Sequence, residues 1–368
     1  MSSPALHGRH LGALTGIRGI AAWLVVFYHM RLSLQALLPE WTIAALAKGY
    51  LAVDLFFILS GFVLWYNYGE KLRSGGWQAA GPFLWRRIAR IWPLHLAILA
   101  AFALFVLMLA LTGRSTTGYP LAELPLHVLL IQNWGFTREL SWNHPAWSIS
   151  TELAAYLCFP MVVHALRWER LVLPVLLAIA AGLLGAIHLL FALNGETTLG
   201  GNIPALGLWR CLLEFTLGNI ACLLWRQTSH KRHAGLLAAL ACTGFLCGGA
   251  ALALPETAFV PAVFLCGILF LALDGGIVAR TLGHGPLHYL GEISYSTYLA
   301  HFLLFILFKI LFVDASLQMG WTALAGFTAL LLAASVLLHH GLEKPAQAWL
   351  TRHPPHRLPP FRKALPAE

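Results

Sequence analysis

Charge is scarce in this chain: Asp, Glu, Lys and Arg make up 11% of its 368 residues, against roughly a quarter in a soluble domain. With 59% of the residues hydrophobic, there is too little polar surface to clothe a water-soluble fold, and the chain reads as a multi-pass membrane protein. No stretch outside the apolar runs is long enough to fold as a second domain. The six cysteines (Cys158, Cys211, Cys222, Cys242, Cys247 and Cys266) all sit inside apolar runs, and no two form a Cys-x-x-Cys pair. That spacing argues against a disulfide framework or a zinc site and leaves them as small core residues. No small-residue cleavage pattern follows the first apolar run, so that run is expected to remain as a span. The net charge of +9 comes from residues scattered through short loops and the tail. That is the distribution of cytoplasmic anchoring rather than of a nucleic-acid surface, and neither a nucleic-acid partner nor a metal is expected.

What is abundant is apolar sequence in runs near the ~20 residues that cross a bilayer. They fall at 11–31, 48–67, 89–111, 146–166, 171–192, 204–225, 234–254, 257–274, 291–313 and 320–341. The expected fold is an all-α polytopic membrane domain of about ten spans over 11–345. A short cytoplasmic segment (1–10) precedes it, and a mobile, basic, proline-rich cytoplasmic tail (346–368) follows. The segment 121–131 is short and interrupted by Glu123, Pro125 and His127. If it does not cross, the basic clusters at 71–90, 167–170, 226–232, 280 and 344–363 all lie on one side, which the positive-inside rule makes the cytoplasm. Both termini are then cytoplasmic, and 112–145 is an outer loop with a dipping or interfacial segment.

Ionisable side chains inside such spans are costly in lipid and mark functional sites by default. Arg18 and His29 lie eleven residues apart in the first span, on one helix face and ~16 Å apart along it. Asp54, entering from the outer side, is expected at the depth of His29, where a carboxylate orients an imidazole; a buried pair that only packs two helices is the alternative. Arg86 and Arg90 are four residues apart at the mouth of the third span, and guanidinium forks there suit phosphate groups, with ordinary anchoring as the alternative. Ser148, Glu152 and Tyr156 recur every four residues in the fourth span, and the first candidate partner for Glu152 is His29. Arg210 and Glu214 are placed to neutralise each other within the sixth. In the ninth, Ser294 and His301 share a face with Tyr298 beside it, offering a second buried imidazole. Pro345 is expected to stop the last helix.

Taken together, these stretches resemble acyltransferase family 3, membrane proteins that O-acylate sugars and other hydroxyl compounds. The matching residues are Ile17-Arg18-Gly19-Ile20-Ala21 through His29, Val53-Asp54-Leu55-Phe56-Phe57 through Ser60-Gly61-Phe62, and Arg86-Arg87-Ile88-Ala89-Arg90-Ile91-Trp92-Pro93. Then come Trp147-Ser148-Ile149-Ser150-Thr151-Glu152, Arg210 through Glu214-Phe215 to Gly218, Ile293 through His301, and Glu343-Lys344-Pro345. Each is weak alone; in this order over almost the whole chain they are specific. The resemblance implies acyl-CoA, usually acetyl-CoA, as co-substrate from the cytoplasm and an acceptor hydroxyl on the outer side of a bacterial inner membrane. It implies His29 as the catalytic residue and Arg18, Arg86 and Arg90 as essential, with Asp54, Glu152 and His301 as further site candidates. Some relatives carry an additional outer domain; here the chain stops soon after Pro345, so a second transfer step is expected to need a separate protein.

The expected chemistry is O-acyl transfer, with the arginines on the CoA phosphates and His29, oriented by Glu152 or Asp54, as base. A direct transfer and an acyl-histidine intermediate use the same residues. The acceptor stays open among polysaccharides, lipid-linked glycans, oligosaccharides and macrolides. The rival reading is a transporter or flippase that uses the buried charges as a substrate path. It predicts movement without CoA consumption, and the absence of an internal duplication in the hydropathy pattern counts against it.

Overall fold

The computed structural model describes residues 4–355, which contain helices and loops and no β-strand. In hydrocarbon each backbone N–H and C=O must be satisfied within the protein, and a helix does this inside a single segment. α1 (Pro4–Met30) leads through a loop carrying α2 (Glu40–Leu46) to α3 (Ala52–Leu64), which runs through a π turn (Trp65–Gly69) into α4 (Glu70–Gly75). Gly76, at φ +59, then turns the chain into α5 (Ala80–Leu111). After the short α6 (Leu124–Leu129) come α7 (Ala146–Ala165), α8 (Leu173–Leu193), α9 (Ile203–Thr228), α10 (Ala234–Ala251) and α11 (Glu256–Leu273). Two short helices, α12 (Ile277–Leu282) and α13 (Gly285–Glu292), lie along α1 before α14 (Ser294–Phe312), α15 (Trp321–Leu338) and α16 (Lys344–Arg352) complete the bundle.

Nine continuous helical runs among the described residues are long and apolar enough to cross a membrane. One of them, Glu40–Leu111, has 72 residues, roughly 110 Å if it were straight. The turn at Gly76 divides it into the second and third expected spans, so each of the ten expected spans overlaps one of the nine runs. α6 has six residues, about 9 Å of helix, and is too short to cross. Leu130, at φ +57, ends it, and the chain tucks back into the bundle with His127, Gln132 and Asn133 buried.

The end of the bundle differs from expectation. Pro345 does not stop the helix: a π turn over His339–Glu343 passes directly into α16, and the irregular turn before it accommodates a proline that has no N–H to offer. α16 docks on α5, with Trp85 Nε1 donating to Leu350 O at 2.8 Å, so residues 344–352 belong to the folded unit rather than to a mobile tail. Residues 1–3 of the expected N-terminal segment and 356–368 of the expected tail lie outside the described residues.

Two close backbone approaches fix the helices that carry the polar residues. A Cβ on Gly61 of α3 would stand 1.9 Å from the carbonyl oxygen of Phe215, and one on Gly218 of α9 would stand 1.9 Å from that of Ile58, so the two glycines admit each other's helix. α1 is held the same way, since a Cβ on Gly291 would reach 1.8 Å from Thr15 O. Gly218→Leu is therefore expected to abolish monodisperse protein on size-exclusion chromatography in detergent. Gly182→Leu, on an α8 face with nothing within 4 Å of the new Cβ, should behave as the parent; equal recovery of the two variants would show that the α3–α9 crossing tolerates separation.

Candidate active site

A cavity of about 150 Å³ opens among α1, α3, α5, α7 and α14. Helix periodicity places its polar lining. Arg18 comes from α1, Ser60 from α3, Arg87 and Arg90 three apart on α5, Ser148, Glu152 and Tyr156 at intervals of four on α7, and Ser294, Tyr295 and Tyr298 from the start of α14. Ser60 Oγ donates to Glu152 Oε1 at 2.5 Å. Arg90 forms an ion pair with Glu343, whose other oxygen accepts from Ser296 Oγ at 2.6 Å. The π turn that carries the helix through to Pro345 is what aims Glu343 inward, a use of irregular helix at a polar site.

The other two guanidinium groups keep open donors. Arg87 donates one terminal nitrogen to the Tyr68 hydroxyl at 3.0 Å and stacks over that ring, while its Nε is buried without a hydrogen-bond partner. Among the described residues Arg18 makes no hydrogen bond and no ion pair within 4 Å, although it faces the same cavity as Glu152. Planar guanidinium donors left open in a low-dielectric cavity are a receptor for phosphate or carboxylate.

The cavity ends where Tyr298 Oη meets Ser148 Oγ at 2.8 Å, with the Phe56 ring packed edge-on against Tyr298. One layer beyond, the last turn of α1 and the middle of α14 bring His29 and His301 together, with His29 Nδ1 3.2 Å from His301 Nε2. The carbonyls around them assign the tautomers. His301 Nδ1 lies 2.6 Å from Tyr298 O, and His29 Nδ1 lies 2.9 Å from Val25 O. Each of these nitrogens must therefore be N–H, and the single His29 Nδ1–H is shared between Val25 O and the lone pair of His301 Nε2. The lone pair of His29 is then on Nε2, on a partly exposed ring and with no hydrogen-bond partner among the described residues. That is the nitrogen able to remove a proton.

Several sequence expectations are corrected here. Neither carboxylate reaches His29: Glu152 is held by Ser60, and Asp54 pairs with Arg210 through Nε–Oδ1 at 2.7 Å and a second guanidinium nitrogen to Oδ2 at 2.6 Å. Depth along two helices does not fix their rotation, and α3 turns Asp54 towards α9. The pairing of Arg210 with Glu214 that their spacing offers is present, Nε–Oε2 3.9 Å, but Asp54 is the nearer partner, and Trp147 covers the guanidinium at 5.5 Å. This cluster is fully buried and separate from the cavity. Arg86 does not line the cavity; Arg87 does, and spacing alone allows either to accompany Arg90. Ser294 lines the cavity, with its hydroxyl bound to Gly291 O at 2.8 Å, whereas His301 on the same helix belongs to the histidine pair. Glu343 stands in the Glu343-Lys344-Pro345 stretch but is not among the expected site residues, because Pro345 reads as a stop beyond the last span. Arg87 was legible as the neighbour of Arg86.

The acyltransferase-domain family model matches residues 11–340. Acyltransferase MdmB of Streptomyces mycarofaciens is 32% identical over 384 residues, covering 94% of each chain. Protein 2 in the picA locus of Rhizobium radiobacter is 42% identical over 103 residues, 28% of this chain and 49% of that protein. No solved structure matches the chain. With the family pattern spanning the helices that build both the cavity and the histidine pair, the chain belongs to acyltransferase family 3 and is a multi-pass membrane acyltransferase.

Proposed function

We propose that the protein transfers an acyl group, acetyl in the first instance, from acyl-CoA to a hydroxyl of a carbohydrate or lipid-linked glycan at the bacterial inner membrane. The observation that carries the donor assignment is the cavity with three guanidinium groups, two of them with open donors. Phosphates of CoA are held at Arg87, Arg90 and Arg18, and the pantetheine arm runs past Glu152 towards Tyr298. For the thioester to meet His29, the layer formed by Tyr298, Phe56 and Ser148 moves aside. His29 Nε2 then takes the acceptor hydroxyl proton while the oxygen attacks the thioester carbonyl. The C–S bond breaks, and the imidazolium returns the proton to the CoA thiolate, leaving an ester and free CoA. His301 Nε2 continues to receive His29 Nδ1–H throughout and stabilises the charged ring.

The assay is transfer of radiolabelled acetyl from CoA to the glycan and lipid fractions of membranes. Arg18→Gln and Arg87→Gln are each expected to raise KM for acetyl-CoA by about ten- to a hundredfold, the worth of a hydrogen bond to a charged group. An unchanged KM in both well-expressed variants would mean that the cavity does not hold the donor. Acetyl-CoA consumption without a labelled acceptor would remove the transfer reading itself.

A further inference from the structure

At the same end of the bundle as the histidine pair, the loop after α6 folds a small recess against the start of α7, with Gln132, Asn133, Asn143, His127, His144 and Trp147 in its wall. Three of these are side-chain amides more than nine-tenths buried, with Gln132 at 4%, Asn133 at 1% and Asn143 at 2% exposure. Each amide nitrogen is bound to a backbone carbonyl: Gln132 to Ala146 O at 3.2 Å, Asn133 to Ile203 O at 3.2 Å and Asn143 to Leu299 O at 3.1 Å. Those bonds fix which way the amides are turned, because the reverse orientation would set oxygen against oxygen. What remains is Gln132 Oε1, Asn133 Oδ1 and Asn143 Oδ1, all buried and all without a hydrogen-bond partner.

The fourth group behaves alike. Ser141 Oγ donates its one proton to Glu123 Oε2 at 2.5 Å, so His127 Nε2, 2.9 Å away, must be the N–H donor to that hydroxyl. The lone pair of His127 is thereby placed on Nδ1, which is also buried and unpartnered. Four buried acceptors without a donor, three of them on amides that keep a second N–H, ask for a ligand that brings hydroxyl groups, which both donate and accept. The recess shares its wall with the transfer chemistry: His144 stacks on Phe302 at 5.0 Å, and the Phe302 ring meets that of His29 at 5.4 Å.

We infer that this recess, whose volume of about 10 Å³ admits one water-sized group, is part of the acceptor subsite, and that it seats a hydroxyl of a polyhydroxylated ligand, a sugar, against the acceptors of Gln132, Asn133, Asn143 and His127. A neighbouring hydroxyl of the same ligand then lies towards His29. The assignment rests on the acyl-transfer reading, and its test reads binding rather than turnover.

The full-length protein in a detergent without a sugar headgroup is photolabelled with a diazirine-bearing octyl glucoside, and the labelled peptides are mapped by mass spectrometry. Label is expected within residues 127–147. Octyl glucoside should compete it away, and permethylated octyl glucoside, which keeps every oxygen but has no O–H donor, should not. Gln132→Met and Asn143→Leu should each weaken labelling by about three- to tenfold, the worth of one neutral hydrogen bond, while the thermal shift caused by acetyl-CoA, which reports an intact donor cavity, is kept. Label elsewhere, or equal competition by the permethylated compound on the unaltered protein, overturns the subsite whether or not the variants fold. Label in the recess from a protein that transfers no acetyl would instead leave the subsite standing and remove the transferase reading.

Discussion

Replacing His29 with Ala is expected to abolish acyl transfer, with a loss of at least the ~10²- to 10⁴-fold that a positioned general base contributes, while acetyl-CoA still raises the melting temperature of the variant. The expectation follows from the tautomers. Both neighbouring carbonyls hold an imidazole N–H, and the chain of bonds from Tyr298 O through His301 to His29 leaves one lone pair, on His29 Nε2, without a partner among the described residues. Removing that lone pair harms the transition state and leaves ground-state donor binding at the arginines intact. His301 is a positioning residue in this arrangement. His301→Ala should lower kcat with little change in KM for acetyl-CoA, and His301→Gln, whose side-chain oxygen can accept the His29 proton, should recover part of it. The assay is single-turnover transfer of labelled acetyl in membranes matched for expression. Near-normal transfer by His29→Ala would dismiss His29 and make His301 the base.

The largest effect on stability is expected from Arg210→Met. Asp54 and Glu214 are both 0% exposed and Arg210 is 1% exposed, and the guanidinium stands between the two carboxylates. Taking away the cation leaves two buried carboxylates beside each other, and breaking a buried pair from one side costs about 3–5 kcal/mol. The thermal midpoint in detergent should fall sharply, or the variant should fail to accumulate. The combined change Asp54→Asn, Arg210→Met, Glu214→Gln removes the charges together and should recover most of the loss, because the desolvation of all three groups is then avoided. A single Arg210→Met variant as stable as the parent would mean that the cluster contributes nothing to the fold. Recovered stability without recovered transfer would give the cluster a part in the chemistry although none of its three side chains lines the cavity.

That this chain is a helical membrane protein, roughly where its spans lie and which of its side chains are unusual can all be read from the residues alone. Long apolar runs have one way to satisfy their backbone in lipid, and an isolated Arg18, Glu152 or His29 within them stands out without any knowledge of its neighbours. Regular spacing within one helix was equally readable, so the Ser148, Glu152 and Tyr156 stripe was visible in advance and does line one cavity. Which residues meet across helices was decided only by the tertiary structure. The rotation of each helix about its own axis, and the glycine crossings that set how closely it approaches its neighbour, turn Asp54 to Arg210, Glu152 to Ser60 and His29 to His301. Depth, the one coordinate that hydropathy supplies, is shared by too many groups to choose among these pairings. The continuation of the helix past Pro345 likewise depended on packing: α16 docks on α5 and the π turn before it carries Glu343 to Arg90, contacts between segments some 250 residues apart that no local pattern contains.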